Sequence, residues 1–360
     1  MSNTFGEKIK VTIYGESHGK SIGCIIEGLP AGISLDFDFI KKEMDRRAPG
    51  KNQFSTQRKE KDSFIIESGY FNHRTTGTPL CVRIENNDTK SKDYEILKNL
   101  MRPSHGDYPG NIKYRGFNDY RGGGSFSGRI TAPLVFVGAV SKLILKNYGI
   151  YIGAHILNIK DIEDKKFNPL GESEDFLENL LKKDFPVIDD SKISSMQDEI
   201  LKAREEKNSV GGVVECIVNN LPVGLGLPFF DSVESRISHG IFSIPSIKAI
   251  EFGEGFNISK LYGNCANDEF YYDENKKVKT KTNNNGGILG GLTNGMPIIF
   301  RVAVKPTPSI SLPQNTINIL TEENEVLEIH GRHDPCIVPR VLPVIEGVTA
   351  WIILDMILSN

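Results

Sequence analysis

Ser21-Ile-Gly-Cys-Ile-Ile-Glu27, followed by Leu29-Pro30-Ala31-Gly32, returns in the second half of the chain as Ser209-Val-Gly-Gly-Val-Val-Glu215, followed by Leu221-Pro222-Val223-Gly224. The elements around each copy also recur in order. Phe37-Asp38-Phe39-Ile40 answers to Phe230-Asp231-Ser232-Val233, and Thr75-Thr76-Gly77-Thr78-Pro79-Leu80, with Arg83-Ile84, answers to Thr293-Asn294-Gly295-Met296-Pro297-Ile298, with Arg301-Val302. Three matched blocks in one order point to an internal duplication. The expected fold is α+β, a single domain over 1–360 with two pseudo-symmetric halves spanning about 6–160 and 195–358. β-Branched runs between Gly and Pro predict strands at Ile9–Ile13, Ile22–Ile26, Leu80–Ile84, Val213–Val218 and Ile298–Val304. Thr131, with Pro133 just inside, opens a helix apolar nearly all round through Leu145; Val344–Leu358 reads likewise, so both should be buried. Residues 160–207 are charge-mixed and read as a solvated connection.

The 360 residues are 39% hydrophobic, enough for a sizeable core, and carry a net charge of -3. That charge argues against a generic nucleic-acid binder, so any anion site must be local. Five scattered cysteines without CxxC spacing give no zinc site or disulfide framework. The N-terminus carries no basic-then-apolar signal, and the apolar helical stretches are read as shorter than a membrane span, which predicts a cytoplasmic protein.

The residues that can carry chemistry lie in loops. Phe37, Ile40 and Met44 share a helical face that Arg47 continues before Pro49-Gly50, while Arg46 is expected to point elsewhere. Arg47 can either snorkel to solvent or enter an anion site, and its guanidinium fork favours the second. Gly15-Glu16-Ser17-His18-Gly19 follows a strand, and Arg102-Pro103-Ser104-His105-Gly106-Asp107-Tyr108 places a second histidine beside a cation. Two such histidines suggest acid–base work on a leaving phosphate or developing anion. Asp119-Tyr-Arg-Gly122-Gly-Gly-Ser125-Phe126-Ser127-Gly128-Arg129 runs into the buried helix, and glycine backbone with a helix N-terminus suits an anion. Between 101 and 131 there are five Lys/Arg against two acids. Asn283 to Gly291, Lys305-Pro306-Thr307-Pro308-Ser309, and Arg332-His333-Asp334-Pro335-Cys336 with Arg340 complete the set. No P-loop, Rossmann fingerprint or metal-ligand spacing is present. An enzyme for a multiply anionic small molecule is the reading; an anion- or nucleotide-binding module and a phosphate lyase working without a cofactor are the alternatives.

Taken together, GESHG (15–19), DRRAPG (45–50), TQRKE (56–60), TTGTP (75–79), RPSHGDY (102–108), DYRGGG (119–124), GGILGG (286–291), KPTPS (305–309) and RHDPC (332–336) resemble the chorismate synthase family. The resemblance implies a β-α-β sandwich, a homotetramer, and reduced FMN beside 5-enolpyruvylshikimate 3-phosphate, from which phosphate and a hydrogen are eliminated without net redox change. No fused reductase domain is legible in the sequence, so an external flavin reductant is expected, and NADPH and FMN alone should not sustain aerobic turnover. Carried over, His18 lies near the leaving phosphate, His105 protonates the reduced flavin, and Asp334 lies near flavin N5. Ser17, Arg47, Arg129 and Arg340 fall on substrate positions. Flavin contacts fall on Arg47, Ser125, Phe126, Ser127, Pro245, Ser246, Gly290, Lys305, Pro306, Thr307, Pro308, Ser309 and Arg332. The chain departs from the family pattern at Gln53, Ser125, Phe126 and Pro245-Ser246, the first two of these where arginines are common.

Overall fold

The computed structural model describes residues 3–50, 60–87, 91–329 and 334–360. Two five-stranded antiparallel sheets enclose a layer of helices. In the first, the spatial order is Thr4–Phe5, Lys10–Gly15, Ser21–Glu27, Leu80–Glu85, Phe64–Ser68. In the second it is Ile162–Glu163, Tyr151–Ile159, Gly212–Asn219, Ile298–Val304, Ile247–Phe252. The two copies of the opening motif are thus the middle strands of their sheets, and the Leu80 and Ile298 strands flank them identically. A short hairpin precedes each of those flanking strands, Tyr70–Phe71 with Arg74–Thr75 and Ile288–Leu289 with Leu292–Thr293. Both turns have two residues of positive φ, Asn72-His73 and Gly290-Gly291, as two-residue hairpins favour. The Tyr151–Ile159 strand, expected at the end of the first half, hydrogen-bonds instead into the second sheet beside Gly212–Asn219.

Between the sheets lie Ala132–Lys146 and Val338–Ser359, both buried along most of their length. They cross so closely that a Cβ on Gly138 would sit 2.0 Å from the Cα of Gly347, so glycine at this crossing is a packing requirement. The last helix begins at Val338 rather than Val344: Pro339 suits the first turn, and Pro343 is accommodated inside the helix. At 22 residues it is long and apolar enough to cross a membrane, as is 121–146, contrary to the shorter lengths read from sequence. Their apolar windows are 89% and 78% buried in the chain's own core.

Arg46, expected to face away, turns into this helix layer. Its guanidinium donates to Glu346 at 2.6 and 2.9 Å and to Glu43 at 3.0 Å, while Lys142 Nζ donates to Glu43 at 2.6 Å and Glu346 at 2.5 Å. Burial raises the Glu43 pKa, but Arg46 and Lys142 outweigh it and hold the carboxyl down at about 2. The solvated connection is also more ordered than read: Glu174–Leu181 and Ile193–Glu205 are amphipathic helices whose Leu177, Leu180, Met196, Ile200 and Ala203 are buried.

Candidate active site

The first sheet's Lys10–Gly15 strand ends at Gly15, whose φ of 95° turns the chain into the 16–19 loop. Asn86, just past the Leu80–Glu85 strand, donates from Nδ2 to the carbonyls of Glu16 and Gly19 at 3.0 and 2.9 Å, fixing that loop. Ser17 and His18 are therefore buried although they belong to a loop. Ser17 Oγ lies 3.2 Å from His18 Nδ1, and the Ser17 amide donates to the Gly124 carbonyl at 3.2 Å. A Cβ on Gly122 would come within 2.2 Å of the His18 ring. The first glycine of the run is needed to let the imidazole approach.

The second glycine serves the second histidine. A Cβ on Gly123 would lie 3.1 Å from His105 Cε1 and 3.2 Å from Nε2, so the two histidines face consecutive glycines. His105 Nδ1 is 2.6 Å from Asp107 Oδ1 and 3.1 Å from Arg102 Nη2. Arginine only donates, and Asp107 is an ionised acceptor, so the shorter contact assigns the proton to Nδ1 and leaves Nε2 toward Gly123. Asp107 is itself gripped by Arg102, Nε to Oδ2 at 2.6 Å and Nη2 to Oδ1 at 2.8 Å, a bidentate pair that holds its pKa far below the ordinary carboxylate value despite burial. Burial lowers the His105 pKa; the Asp107 hydrogen bond opposes this, and Arg102 and Lys305 add to it. The imidazole is thus neutral near pH 7 in the ligand-free chain.

Gly128-Arg129 continues the same run. Arg129 donates from Nη1 to Asp62 Oδ1, from Nε to Asn86 Oδ1 at 3.0 Å and from Nη2 to the Glu85 carbonyl at 3.1 Å. Arg47 donates to the other oxygen, Asp62 Oδ2, from Nε at 2.8 Å and Nη2 at 2.6 Å. Arg340 joins them through the Arg47 carbonyl at 3.1 Å and pairs with Asp334. Arg47 and Arg129 are almost fully buried, which rules out snorkelling. The three arginines and Asp334 form one cluster.

The second sheet contributes its matching corner. Lys305 follows Ile298–Val304 as Asn86 follows Leu80–Glu85, and its Nζ donates to the Ser104 carbonyl in the His105 loop. Its amide donates to the Ser246 carbonyl at 2.9 Å, bringing Pro245-Ser246 alongside. Arg102 Nη1 donates to Ser309 Oγ at 3.1 Å, and the Thr307 carbonyl accepts from Ser209 Oγ at 2.7 Å. Burial, then the neighbouring Lys248, lowers the Lys305 pKa.

Two expected residues stand apart. The Phe126 ring packs on the Asp107–Lys113 helix, where a Cβ on Gly106 or Gly110 would meet it at 2.9 or 2.5 Å, and Tyr114 lies 6.4 Å away; that ring is a packing group. Gly290 sits in the hairpin turn whose next residue, Gly291, approaches Ser232 and Pro228, at the end of Ile298–Val304 opposite Lys305. One strand of seven residues, roughly 23 Å, separates them, so a single chain does not bring Gly290 to this corner. Arg332 lies outside the described residues, as does Gln53. Ser125, Ser127, Pro306 and Pro308 lie in the two converging loops. Asp62, Glu60 and Asn86 were not singled out from sequence; the one available signal was that two inward-facing arginines require buried counter-ions. Among the described residues, no group of three or more His, Cys, Asp or Glu is placed to hold a metal.

Known proteins are similar to this chain in architecture and in sequence. Residues 9–358 match the family described as chorismate synthase. Chorismate synthase of Dehalococcoides mccartyi is 45% identical over 99% of this chain and 97% of its own. That of Methanocaldococcus jannaschii is 44% identical over 100% and 97%, and that of Pyrococcus abyssi 46% over 98% and 97%. A crystal structure of chorismate synthase superposes with a TM-score of 0.77 at 30% identity, covering 99% of this chain and 93% of the other. With its matched sheets, its loop histidines and near full-length identity to these enzymes, the chain belongs to the chorismate synthase family of lyases.

Proposed function

We propose that the seam between the matching sheet corners binds 5-enolpyruvylshikimate 3-phosphate and reduced FMN, and that phosphate elimination to chorismate takes place there. The observation that carries this reading is the 122–129 run, which faces His18, then His105, and ends on Arg129 of the buried arginine cluster. Proton donors and anion-binding cations thus lie along one short stretch, at most about 20 Å between Gly123 and Arg129 even if fully extended.

The residues present suit a flavin phosphate and polar ring edge. Thr307 Oγ1 is buried without a hydrogen-bond partner, a Cβ on Gly128 would meet nothing within 4 Å, and Lys305 supplies a cation between the loops. Ser125, Ser127, Lys305 to Ser309 and Pro245-Ser246 would hold it; Phe126 could contribute only backbone. When bound, reduced FMN lends electron density to the elimination and is regenerated.

The chain's own residues orient and protonate. Arg47, Arg129 and Arg340 bind the substrate's anionic groups, Ser17 orients the His18 ring at Nδ1, and His18 gives a proton to the departing phosphate. His105, its Nδ1 proton held by Asp107, moves a proton at Nε2. A bound anion raises its lowered pKa toward neutrality, which makes the proton available when ligand is present. Asp334, held by Arg340, lies at the flavin side of the cluster.

The reading includes one domain of two duplicated halves, an external flavin reductant, and a cytoplasmic homotetramer. Exposed Phe229, Phe230, Phe256 and Tyr262 give the tetramer an apolar surface to bury. The test is anaerobic: protein, photoreduced FMN and 5-enolpyruvylshikimate 3-phosphate are mixed and chorismate absorbance is followed. Product only with reduced FMN is expected. Ligand binding without product would leave an anion-binding module, and product without flavin would leave a different lyase.

A further inference from the structure

The arginine cluster that should receive a polyanion is already neutralised. Arg47 and Arg129 share Asp62, one oxygen each, and Glu60 Oε2 lies 3.4 Å from Arg129 Nε. Arg340 has Asp334. Three cations, Arg47 and Arg129 buried and Arg340 partly so, therefore stand against three carboxylates. We propose that Asp62 is a resident counter-ion of the substrate pocket: its carboxylate bridges Arg47 and Arg129 in the ligand-free chain, and an incoming phosphate or carboxylate takes over arginine donors from it. This rests on the assignment of those arginines to substrate binding.

The geometry supports substitution of one anion by another. Asp62 meets both guanidinium groups in the plane-to-oxygen manner of a bound oxyanion, with charge-assisted bonds of 2.6 and 2.8 Å from Arg47 alone. The remaining hydrogen bonds of Arg129 run to Asn86 and the Glu85 carbonyl, and Arg47 Nη1 to the Gly128 carbonyl at 3.4 Å, all uncharged acceptors. Asp62 is thus the charge that keeps two guanidinium groups side by side in the absence of ligand. Its own backbone adopts φ 48°, a left-handed conformation that aspartate tolerates better than most residues. Removing the carboxylate leaves Arg47 and Arg129 with Glu60 as their nearest charge of opposite sign, an excess of buried positive charge that costs stability until another anion arrives.

The experiment is thermal unfolding of the full chain with inorganic phosphate titrated at fixed ionic strength, for the parent, Asp62→Asn and Asp62→Glu. A ligand that binds only the folded state raises Tm according to its affinity. Asp62→Asn should melt lower than the parent without phosphate and bind phosphate at least about tenfold more tightly, since the competing charge is gone. Asp62→Glu keeps a carboxylate and should respond like the parent. Equal or weaker phosphate binding by Asp62→Asn would overturn the proposal and make Asp62 an orienting group that the pocket needs. Should Asp62→Asn not fold in phosphate-free buffer, recovery by phosphate but not by chloride at equal ionic strength supports it, and no recovery by phosphate overturns it. Chorismate formation by the parent is read separately, so failure of that reaction would sink the catalytic reading without deciding the phosphate comparison.

Discussion

His105, partly buried, and His155, fully buried, both lie beside carboxylates, yet their surroundings suit them to opposite work. His155 sits on the Tyr151–Ile159 strand, fully enclosed, with Nδ1 3.1 Å from Asp164 and Nε2 3.1 Å from Glu215. Both nitrogens are occupied, and burial's tendency to lower its pKa is outweighed by the two hydrogen bonds, which raise it. His105 uses one nitrogen on Asp107 and turns the other to a glycine, and burial lowers its pKa. A histidine between two carboxylates is a fixed cation; a histidine with one anchored nitrogen can move a proton.

Activity should separate the pair most sharply. His105→Ala and His18→Ala are each expected to lower turnover by roughly 10²–10⁴-fold, the usual worth of a positioned acid or base, with substrate binding less affected. His155→Ala should leave turnover of the folded fraction within a fewfold of the parent while lowering unfolding free energy by about 3–5 kcal/mol, because Asp164 and Glu215 lose a buried partner. Steady-state kinetics and denaturant melts on the same preparations check both. Near-normal turnover for His105→Ala would break the comparison. Asp107→Asn sharpens it: the amide no longer guarantees a proton on Nδ1, so turnover should fall about 10²-fold and the pH–rate profile should shift, a change that mere loosening of the loop would not produce.

The next effect is on cofactor affinity. With Ser125 where arginine is common, Lys305 is the cation between the converging loops, and Lys305→Ala should weaken FMN binding at least about tenfold. Ser125→Arg should leave it unchanged or tighten it. Titration of FMN fluorescence with substrate present decides, and unchanged affinity in Lys305→Ala would remove Lys305 from the site. Because Lys305 also holds the Ser104 carbonyl, comparison with Lys305→Arg, which keeps a donor and charge, separates cofactor contact from loop anchoring.

What the sequence disclosed and what it hid follow from the range of the interactions. The matched strand arrangement of the two sheets was readable because strands and turns write themselves locally, in β-branched runs and in Gly and Pro. The histidine and glycine loops were readable because they need special backbone next to reactive side chains. Charge pairing was not. Arg46 and Lys142 meet on Glu346 from two other helices, and Asp62 finds Arg129 from 67 residues away in sequence, contacts that no spacing rule encodes. Gly290 came from the family resemblance, the paired glycines themselves being equally readable as a turn, and the structure makes Gly290-Gly291 the two-residue turn that repeats Asn72-His73. Phe126 was placed by its neighbours in the motif, whereas its ring follows Gly106 and Gly110.

The smallest effect, and the one that tests both histidines at once, is the pH dependence of stability. His155 has a folded pKa above its ordinary value of about 6.5, so between that value and the folded pKa the native state binds more protons than the unfolded chain. Its contribution is therefore complete below about pH 6.5 and is lost as pH rises through the folded pKa, with a slope of at most about 1.4 kcal/mol per pH unit. Asp164, Glu215 and the Arg301 guanidinium that also reaches Glu215 at 3.3 Å face this group. His105 has the opposite sign: its folded pKa is lowered, so the unfolded chain binds the extra proton and stability falls as pH drops below about 6.5. Denaturant melts from pH 5 to 9 should show His155→Gln flattening the decline on the alkaline side and His105→Gln flattening the loss on the acid side. If both variants changed the same limb, the two histidines would share one electrostatic environment, and the division between a fixed cation and a proton carrier would fail.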